Sequence, residues 1–495
     1  MDNCLNCTGN TSDDFDDKPH EECGVFAIYG HPNASEMAYL GLYALQHRGQ
    51  ESAGIATSDG KDVYHHKGVG LVSEVYSDQE LFKYLKGKIA IGHNRYSTTG
   101  SNNLANVQPL LSGDRDGPVA IAHNGNLSNT RELYEKLVEN GAIFQTTLDS
   151  EIIVHLAAMS KKNTFRERII DSLKSLEGAY CLVMLTTDGV IAARDPHGFR
   201  PLCLGKVGDA WVVTSETCAI DILGGEYVRD IEPGEVVTID SNGVSSYKPL
   251  EKQEKAFCIF EYIYFSRPDS YIFGHCVDKV RRKIGRTLAR EYPVDADIVI
   301  SVPDSSNTAA LGYAQESGIR FEIGLIRNHY IGRTFIHPSQ VTREHSVRIK
   351  FNPVKGVLEG KRVVVVEDSI VRGTTFKKIA KLLKDAGVKE IHLRVSSPPV
   401  ISPCYYGMDF PTSEELMASH RTVEEIREFI GIDSLGYLSV EGLHNSVPNK
   451  ENSYCDACFT SNYPTKLAKD SKKSCLENST PNSHLIDAAS LRYNK

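Results

Sequence analysis

Four consecutive valines, Val363–Val366, run without a polar break into Glu367-Asp368 and then into Ser369-Ile370-Val371-Arg372-Gly373-Thr374-Thr375. A strand with no polar alternation has to be covered on both faces, the condition of a central strand in a parallel sheet flanked by helices. The surrounding order agrees. After a charged LEKQEK stretch at residues 250–255, helical periodicity over Asp278 to Glu291 leads to the strand ADIVISV and a helix from Asn307 to Glu316. Strands EIGLI and RVVVV, another helix and the strand EIHLRV follow. That alternation predicts a parallel α/β sheet. The turn after the valines then lies at the carboxyl end of a strand, where open α/β sheets take ligands. Gly373, the hydroxyls of Ser369, Thr374 and Thr375, and the amides of the incoming helix suit a phosphate monoester. Glu367 and Asp368 would repel that phosphate; they suit ribose hydroxyls, or Mg²⁺ held with pyrophosphate. A capped strand-to-helix turn would account for Gly-Thr-Thr alone, but not for the valine run, the acidic pair and the hydroxyls together.

The rest of the 495-residue chain is globular in composition, with 41% hydrophobic and 24% charged residues, and long enough for two or three domains. No apolar run approaches the roughly 18 residues of a membrane span. Seven acids and one base fall in the first 22 residues, which leaves −3 of the net −9 for the remainder. Nucleic-acid binding therefore has no electrostatic support at the level of the whole chain. Twelve cysteines without a secretory signal read as reduced thiols, with metal or catalytic use ahead of a disulfide framework. The leader itself, residues 1–22, is acidic and aperiodic, and reads as a removable appendage; its Cys4 and Cys7 have metal-ligand spacing but equally suit spectator thiols. From Gly24 onward, strands GVFAIYG, AGIATS, KIAIGHN and PVAIAHN flank a helix from Ser35 to about His47. Helical patterns over Thr130 to Glu139, Glu151 to Met159 and Phe165 to Leu176 precede further strands, so sheets layered on helices, an α+β arrangement, are expected.

Cys23 stands immediately before the first strong strand. Alone it reads as a small buried hydrophobe. Removal of the leader would give it a free α-amino group of pKa about 8, able to serve as base to its own thiol. An amide hydrolase also needs an oxyanion hole, and His123-Asn124-Gly125-Asn126 offers the Asn124 side-chain amide and the Gly125 N–H; the bland alternative is an Asn-Gly turn. Arg95 suits a forked contact to a substrate carboxylate and Asp149 an α-ammonium, although each taken singly reads as a surface charge.

VVVVEDSIVRGTT resembles the phosphoribosyl pyrophosphate motif of type I phosphoribosyltransferases, and its SIVRGTT ending resembles the amidophosphoribosyltransferase family, in which Asp is usual where this chain has Glu367. VPDSS at residues 302–306 is similar to the pyrophosphate loop, with Ser305 at the metal-contacting position. RNHYIGRTFI, Arg327 to Ile336, is similar to the loop that closes over the substrate, with Lys and Arg more usual at Arg327 and His329. In the first half CGVFAIYGH, LQHRGQESAGIA, GHNRYSTTG, HNGNL and LDSE resemble, in order, the glutaminase domain of the N-terminal-nucleophile amidotransferases.

The resemblance implies Cys23 as nucleophile, Asn124 and Gly125 as oxyanion hole, and Arg48, Arg95 and Asp149 as glutamine contacts, with Gly49 lining the pocket. It implies phosphoribosyl pyrophosphate contacts at Glu367, Asp368, Ser369, Arg372, Gly373, Thr374, Thr375 and Arg333, and Mg²⁺ at Ser305, Glu367 and Asp368. One branch of the family carries a 4Fe–4S cluster, which places Cys258, Cys404, Cys455 and Cys458 as its thiolate ligands; zinc on the same four is the competing reading. Cys181, Cys203, Cys218 and Cys276 read as core thiols. The implied architecture is an αββα N-terminal-nucleophile glutaminase sandwich at residues 23–250 and a type I phosphoribosyltransferase parallel-sheet domain with the cysteine ligands at 256–465. A leader at 1–22 and a tail at 466–495 complete it. The implied protein is a cytoplasmic enzyme that uses glutamine and phosphoribosyl pyrophosphate in the first step of purine synthesis, a homo-oligomer, tetrameric by resemblance, inhibited by purine nucleotides. The alternative from another class is a non-catalytic regulator that senses phosphoribosyl pyrophosphate.

Overall fold

The computed structural model describes residues 23–96, 104–328, 350–408, 410, 412–448 and 454–467. They fall into two compact units, one made from His20–Lys283, Ser402–Phe410 and His444–Lys495, the other from Ile284–Ile401 and Pro411–Leu443. The first is a four-layer αββα sandwich. Its seven-stranded antiparallel sheet runs, edge to edge, Glu226–Asp230, Cys203–Val207, Ala210–Thr214, Gly24–Tyr29, Ile89–Arg95, Ser52–Ser58 and Val63–Val69. The facing sheet runs Gly243–Tyr247, Val236–Asp240, Val190–Arg194, Gly178–Leu185, Gly117–Leu127 and Leu110–Asp114, also antiparallel.

Period-two alternation builds the layers. Val25, Ala27, Ile89 and Ile91 of the first sheet meet Ala120, Ala122, Cys181 and Val183 of the second in a shared core. Their neighbours Phe26, Ile28, Ala53 and Ile55 turn outward under the helix Ala34–Ala44. On the opposite side, Ile121, Leu182 and Met184 pack under the helices Thr130–Glu139, Ser150–Met159 and Phe165–Leu173.

The boundary expected near residue 250 is not where compactness divides the chain. The backbone N–H groups of Ala256 and Cys258 donate to His197 and Phe199 carbonyls, and Phe257–Cys258 pairs in parallel with Tyr454–Cys455. Those bonds, with the Ser402 N–H donating to the Cys458 carbonyl, hold the segments carrying all four candidate cluster cysteines to the sandwich unit.

The second unit contains a four-stranded parallel sheet in the order Ile298–Ser301, Arg362–Glu367, Glu390–Val395 and Ser434–Tyr437. Val363 and Val365 face a core with Ile298, Ile300, Phe376 and Ile379, as a strand covered on both faces requires. EIGLI departs from expectation. Only Leu325–Arg327 is extended, and it pairs antiparallel with Phe351–Pro353 outside the parallel sheet, while Phe321 makes a single parallel bridge to Val299. Its apolar character suited either arrangement, and nothing local in a strand names its partner.

Gly41 lets the helix Ala34–Ala44 approach the sheet: a Cβ there would lie 2.4 Å from the ring of Phe26, itself fully buried. Gly41→Ala should therefore lower stability by about 1–3 kcal/mol, the usual cost of overpacking a tight core, and a fall in the thermal unfolding midpoint would register it.

Candidate active site

The same alternation that builds the inter-sheet core determines what lies at its end. Cys23 precedes Val25 by two residues and so shares its inward face. Gly24 pairs with Asn94, which puts Arg95 opposite Cys23 one step further along, on the face of Ile89 and Ile91. Asn124 follows Ala120 and Ala122 on the facing strand. One end of a single layer thus gathers the expected nucleophile, carboxylate anchor and oxyanion donor, each almost completely removed from water. Neither the side-chain oxygen nor the nitrogen of Asn124 has a hydrogen-bond partner among the described residues, a cost that an incoming ligand would relieve. At Gly125, φ is +142° and a Cβ would fall 2.2 Å from the Ala179 carbonyl, so only glycine fits.

Burial pushes the Cys23 thiol up to about 11; the Tyr96 carbonyl, 3.6 Å from Sγ, and the positive Arg95 act against that rise, while Asp149 adds to it. The thiol is therefore protonated at neutral pH and needs a base. Asp149 precedes the helix Ser150–Met159, with Oδ1 3.2 Å from Nδ1 of His123 and Oδ2 accepting the Leu127 N–H at 3.1 Å. Burial works against its ionisation, but the charge and hydrogen bond of His123 hold its carboxyl below the usual range.

Arg48 is placed differently from expectation. Its Nε donates to the Cys23 carbonyl at 3.4 Å, while its terminal nitrogens pair with Glu216 and, at 2.6 and 3.1 Å, with Glu261. Two carboxylates thus hold the guanidinium against the backbone of Cys23. Glu261 also pairs with Arg200, which donates to the Tyr406 carbonyl at 2.9 Å, and Glu216 accepts from His47 and Ser270. Gly49 is backed closely by the Asn94 and Arg95 main chain, with no room for a side chain. Glu216, Glu261 and Arg200 were not anticipated. The one available signal was Glu261 as a lone carboxylate in the apolar run AFCIFEYIYF.

In the second unit, Glu367 ends its strand and both it and Asp368 are buried. Asp368 accepts from Ser305 at 2.6 Å and from Ser369 at 2.7 Å; Glu367 accepts from Ser306 at 3.0 Å. Gly373 caps the helix Thr374–Asp385 at φ +75°, and a Cβ there would meet Met417 at 2.7 Å. Ser369, Thr374 and Thr375 stand on this same turn. Arg372 is paired with Glu415. Arg327 pairs with Asp304 at 3.0 Å, whereas His329 and Arg333 lie outside the described residues.

Cys258 and Cys455 are register partners, and Cys458 lies three residues on in the short helix Ala457–Thr460. The Cys404 sulfur accepts the Tyr406 N–H at 3.3 Å. Burial, with the charge of neighbouring cysteines adding to it, pushes Cys258 and Cys455 up to about 12, and those mutual effects place the sulfurs in one neighbourhood. Among the described residues no three His, Cys, Asp or Glu side chains close to metal-holding geometry, and all described cysteines are free of disulfides.

Removing Arg48 would strand two buried carboxylates. Arg48→Leu should cost about 3–5 kcal/mol, against a change near zero for Lys83→Ala in the exposed Glu80 pair, read by thermal unfolding. Burial disfavours the ionised forms of Glu216 and Glu261, yet His47 and Arg48 for the first, and Arg48 and Arg200 for the second, hold both below the glutamate range. Their contribution is fully present above the unfolded value of about 4.3 and is lost only as pH falls through the lower folded values. The unfolding midpoint should show no loss from these groups between pH 8 and 5.

Residues 93–221 match the glutamine amidotransferase domain family and residues 275–397 the phosphoribosyl transferase domain family. The chain is 53% identical over 473 residues to amidophosphoribosyltransferase 2, chloroplastic, of Arabidopsis thaliana, covering 95% of this chain and 84% of that protein. It is 50% identical over 456 residues to the amidophosphoribosyltransferase of Bacillus subtilis, covering 91% and 96%. Among solved structures, the B. subtilis glutamine phosphoribosylpyrophosphate amidotransferase complexed with ADP and GMP superposes with a TM-score of 0.86 at 49% identity, covering 90% of this chain and 98% of that one. A structure described as the allosteric regulatory enzyme of purine biosynthesis gives 0.88 at 48%, covering 93% and 100%. With that identity sustained across both units, the chain belongs to the amidophosphoribosyltransferase family.

Proposed function

We propose that Cys23, exposed as an N-terminal residue by removal of residues 1–22, is the nucleophile of a glutamine-dependent amidophosphoribosyltransferase. The enzyme converts phosphoribosyl pyrophosphate, glutamine and water to phosphoribosylamine, glutamate and pyrophosphate, the first step of purine synthesis. The observation that carries this reading is the Asn124 amide, buried without a partner among the described residues at the layer end that also holds Cys23 and Arg95. The free α-amine takes the thiol proton, the thiolate attacks the side-chain amide of glutamine, and Asn124 with the Gly125 N–H receives the developing oxyanion. Arg95 holds the substrate carboxylate and Asp149 its ammonium; Arg48 fixes the Cys23 carbonyl. The relatives give no support to a non-catalytic regulator.

In the second unit the turn from Ser369 to Thr375 takes the 5-phosphate, and Glu367 and Asp368 face the ribose hydroxyls. Arg372 and Arg333 are further candidate contacts, the former on release from Glu415. The hard oxygen donors of Ser305, Glu367 and Asp368 fit Mg²⁺, which supplies electrostatic neutralisation of the pyrophosphate leaving group. Ammonia forms the C1–N bond as the C1–O bond to pyrophosphate breaks, releasing pyrophosphate and phosphoribosylamine. The soft thiolates of Cys258, Cys404, Cys455 and Cys458 are the donor set that would hold a 4Fe–4S cluster, which would cross-link segments distant in sequence. A relative complexed with ADP and GMP supports purine nucleotides as inhibitors. No helix among the described residues is long and apolar enough to cross a membrane. A cytoplasmic, homotetrameric enzyme remains part of the proposal; several plant relatives are named chloroplastic.

Cys23→Ala should abolish glutamine-dependent pyrophosphate release while synthesis from added ammonia continues; retained glutamine-dependent turnover would refute the nucleophile assignment. Protein purified without oxygen should be brown and contain about four irons per chain, with Cys455→Ser reducing iron content and folded yield. Colourless, active protein with stoichiometric zinc would decide for the other metal.

A further inference from the structure

The strand Gly117–Leu127 has a neighbour on each side, but one of them stops early. Leu110 pairs with Ile121, and the next residue outward, Pro109, has no N–H to continue the ladder. On the other side, Tyr180 directs its backbone N–H and C=O to Asp195, so Gly125, its register partner, forms no hydrogen-bonded pair with it. By alternation, His123 and Gly125 both turn their main-chain polar groups toward the side where the strand has ended. Buried backbone groups there need partners from elsewhere. The His123 N–H finds Oε1 of Gln108 at 2.8 Å, and its carbonyl finds Nε2 of His93 at 3.0 Å.

A carbonyl only accepts, so Nε2 of His93 carries the ring proton. The ring is fully buried, and burial, with Arg95 and His123 nearby, depresses its pKa to about 3, so it is neutral at any working pH. Its Nδ1 is then a bare acceptor with no partner among the described residues. His93 lies two residues before Arg95 on the same inward face. Its ring bonds the carbonyl of the peptide whose nitrogen belongs to Asn124, joining the strand of one sheet to the strand of the other.

We propose that His93 is a positioning residue for the glutaminase reaction: it locks the His123–Asn124 peptide so that the Asn124 amide and the Gly125 N–H converge on one oxyanion. The inference rests on the assignment of Asn124 and Gly125 as oxyanion donors. Because one strand supplies both His93 and Arg95, the oxyanion donors and the substrate carboxylate anchor are held in fixed relation. A loss here reduces transition-state stabilisation without removing a glutamine contact, which predicts a change in kcat rather than in KM.

The test compares two amides at position 93 in the full chain, at matched folded content by circular dichroism. The Gln side chain reaches as far as Nε2 of histidine and can donate to the His123 carbonyl; the Asn side chain is too short. His93→Asn should lower kcat for glutamine hydrolysis by about tenfold or more, a fraction of what losing an oxyanion donor outright costs, with KM for glutamine within about twofold. His93→Gln should recover most of that rate, and ammonia-dependent synthesis should be unchanged in both. Equal losses in the two variants, or a rise in KM with kcat unchanged, would overturn the proposal. Asn124→Ala, assayed in parallel, separates the two levels. Intact hydrolysis in Asn124→Ala would refute the oxyanion assignment itself. Collapse in Asn124→Ala with identical Asn and Gln variants at position 93 would refute only the role of His93.

Discussion

Arg48 is withdrawn from water between Glu216 and Glu261, and its remaining nitrogen is spent on the carbonyl of Cys23. Two cations, Arg48 and Arg200, oppose two anions in a region with essentially no solvent contact, so every member depends on the others. Burying any one of them alone would cost several kcal/mol; together they hold a fixed geometry. That geometry is what an N-terminal nucleophile needs. A chain end normally frays, and a residue that must present both amine and thiol has no preceding segment to anchor it. On the proposed removal of residues 1–22, Arg48 would supply the anchor through the carbonyl of Cys23, the backbone group that the proposed chemistry does not use.

The same network reaches beyond the nucleophile. Glu261 lies three residues after Cys258, and Arg200 binds the carbonyl of Tyr406, two residues after Cys404. Segments far from Cys23 in sequence are thus tied to it through buried charge within one unit. In the other unit the organising constraint is simpler: a strand covered on both faces delivers two carboxylates and a glycine-led helix start to its carboxyl edge, and serine hydroxyls from a neighbouring strand end steady the carboxylates.

What could be read from residues alone follows from what is local. Cys23, Arg95 and Asn124 could be named because each stands in a short motif whose order matches the glutaminase resemblance; that they share one inward face came only with the strand pairing. Sheets layered on helices and the parallel sheet were legible from local alternation, whereas the αββα order came from the family resemblance. The carboxylate partners of Arg48 could not be read, because they lie 168 and 213 residues away, where no periodicity points. His93 was invisible as a functional residue: its value comes from a carbonyl on the facing sheet that lost its strand neighbour at Pro109. EIGLI carried apolar character without a named partner, and the 250/256 boundary missed the parallel pairing that draws Cys258 toward Cys455.

The chemistry assigned to Cys23 stands on its amine. With the thiol held at about 11 by burial, nothing else within the described residues of the layer end is assigned as its base. The decisive measurement is the N-terminal sequence and intact mass of the fraction that turns over glutamine. The account predicts a chain that begins with Cys23, and no glutamine-dependent activity in any fraction that keeps residues 1–22. Full glutamine-dependent turnover by a chain that still begins at Met1 would contradict it.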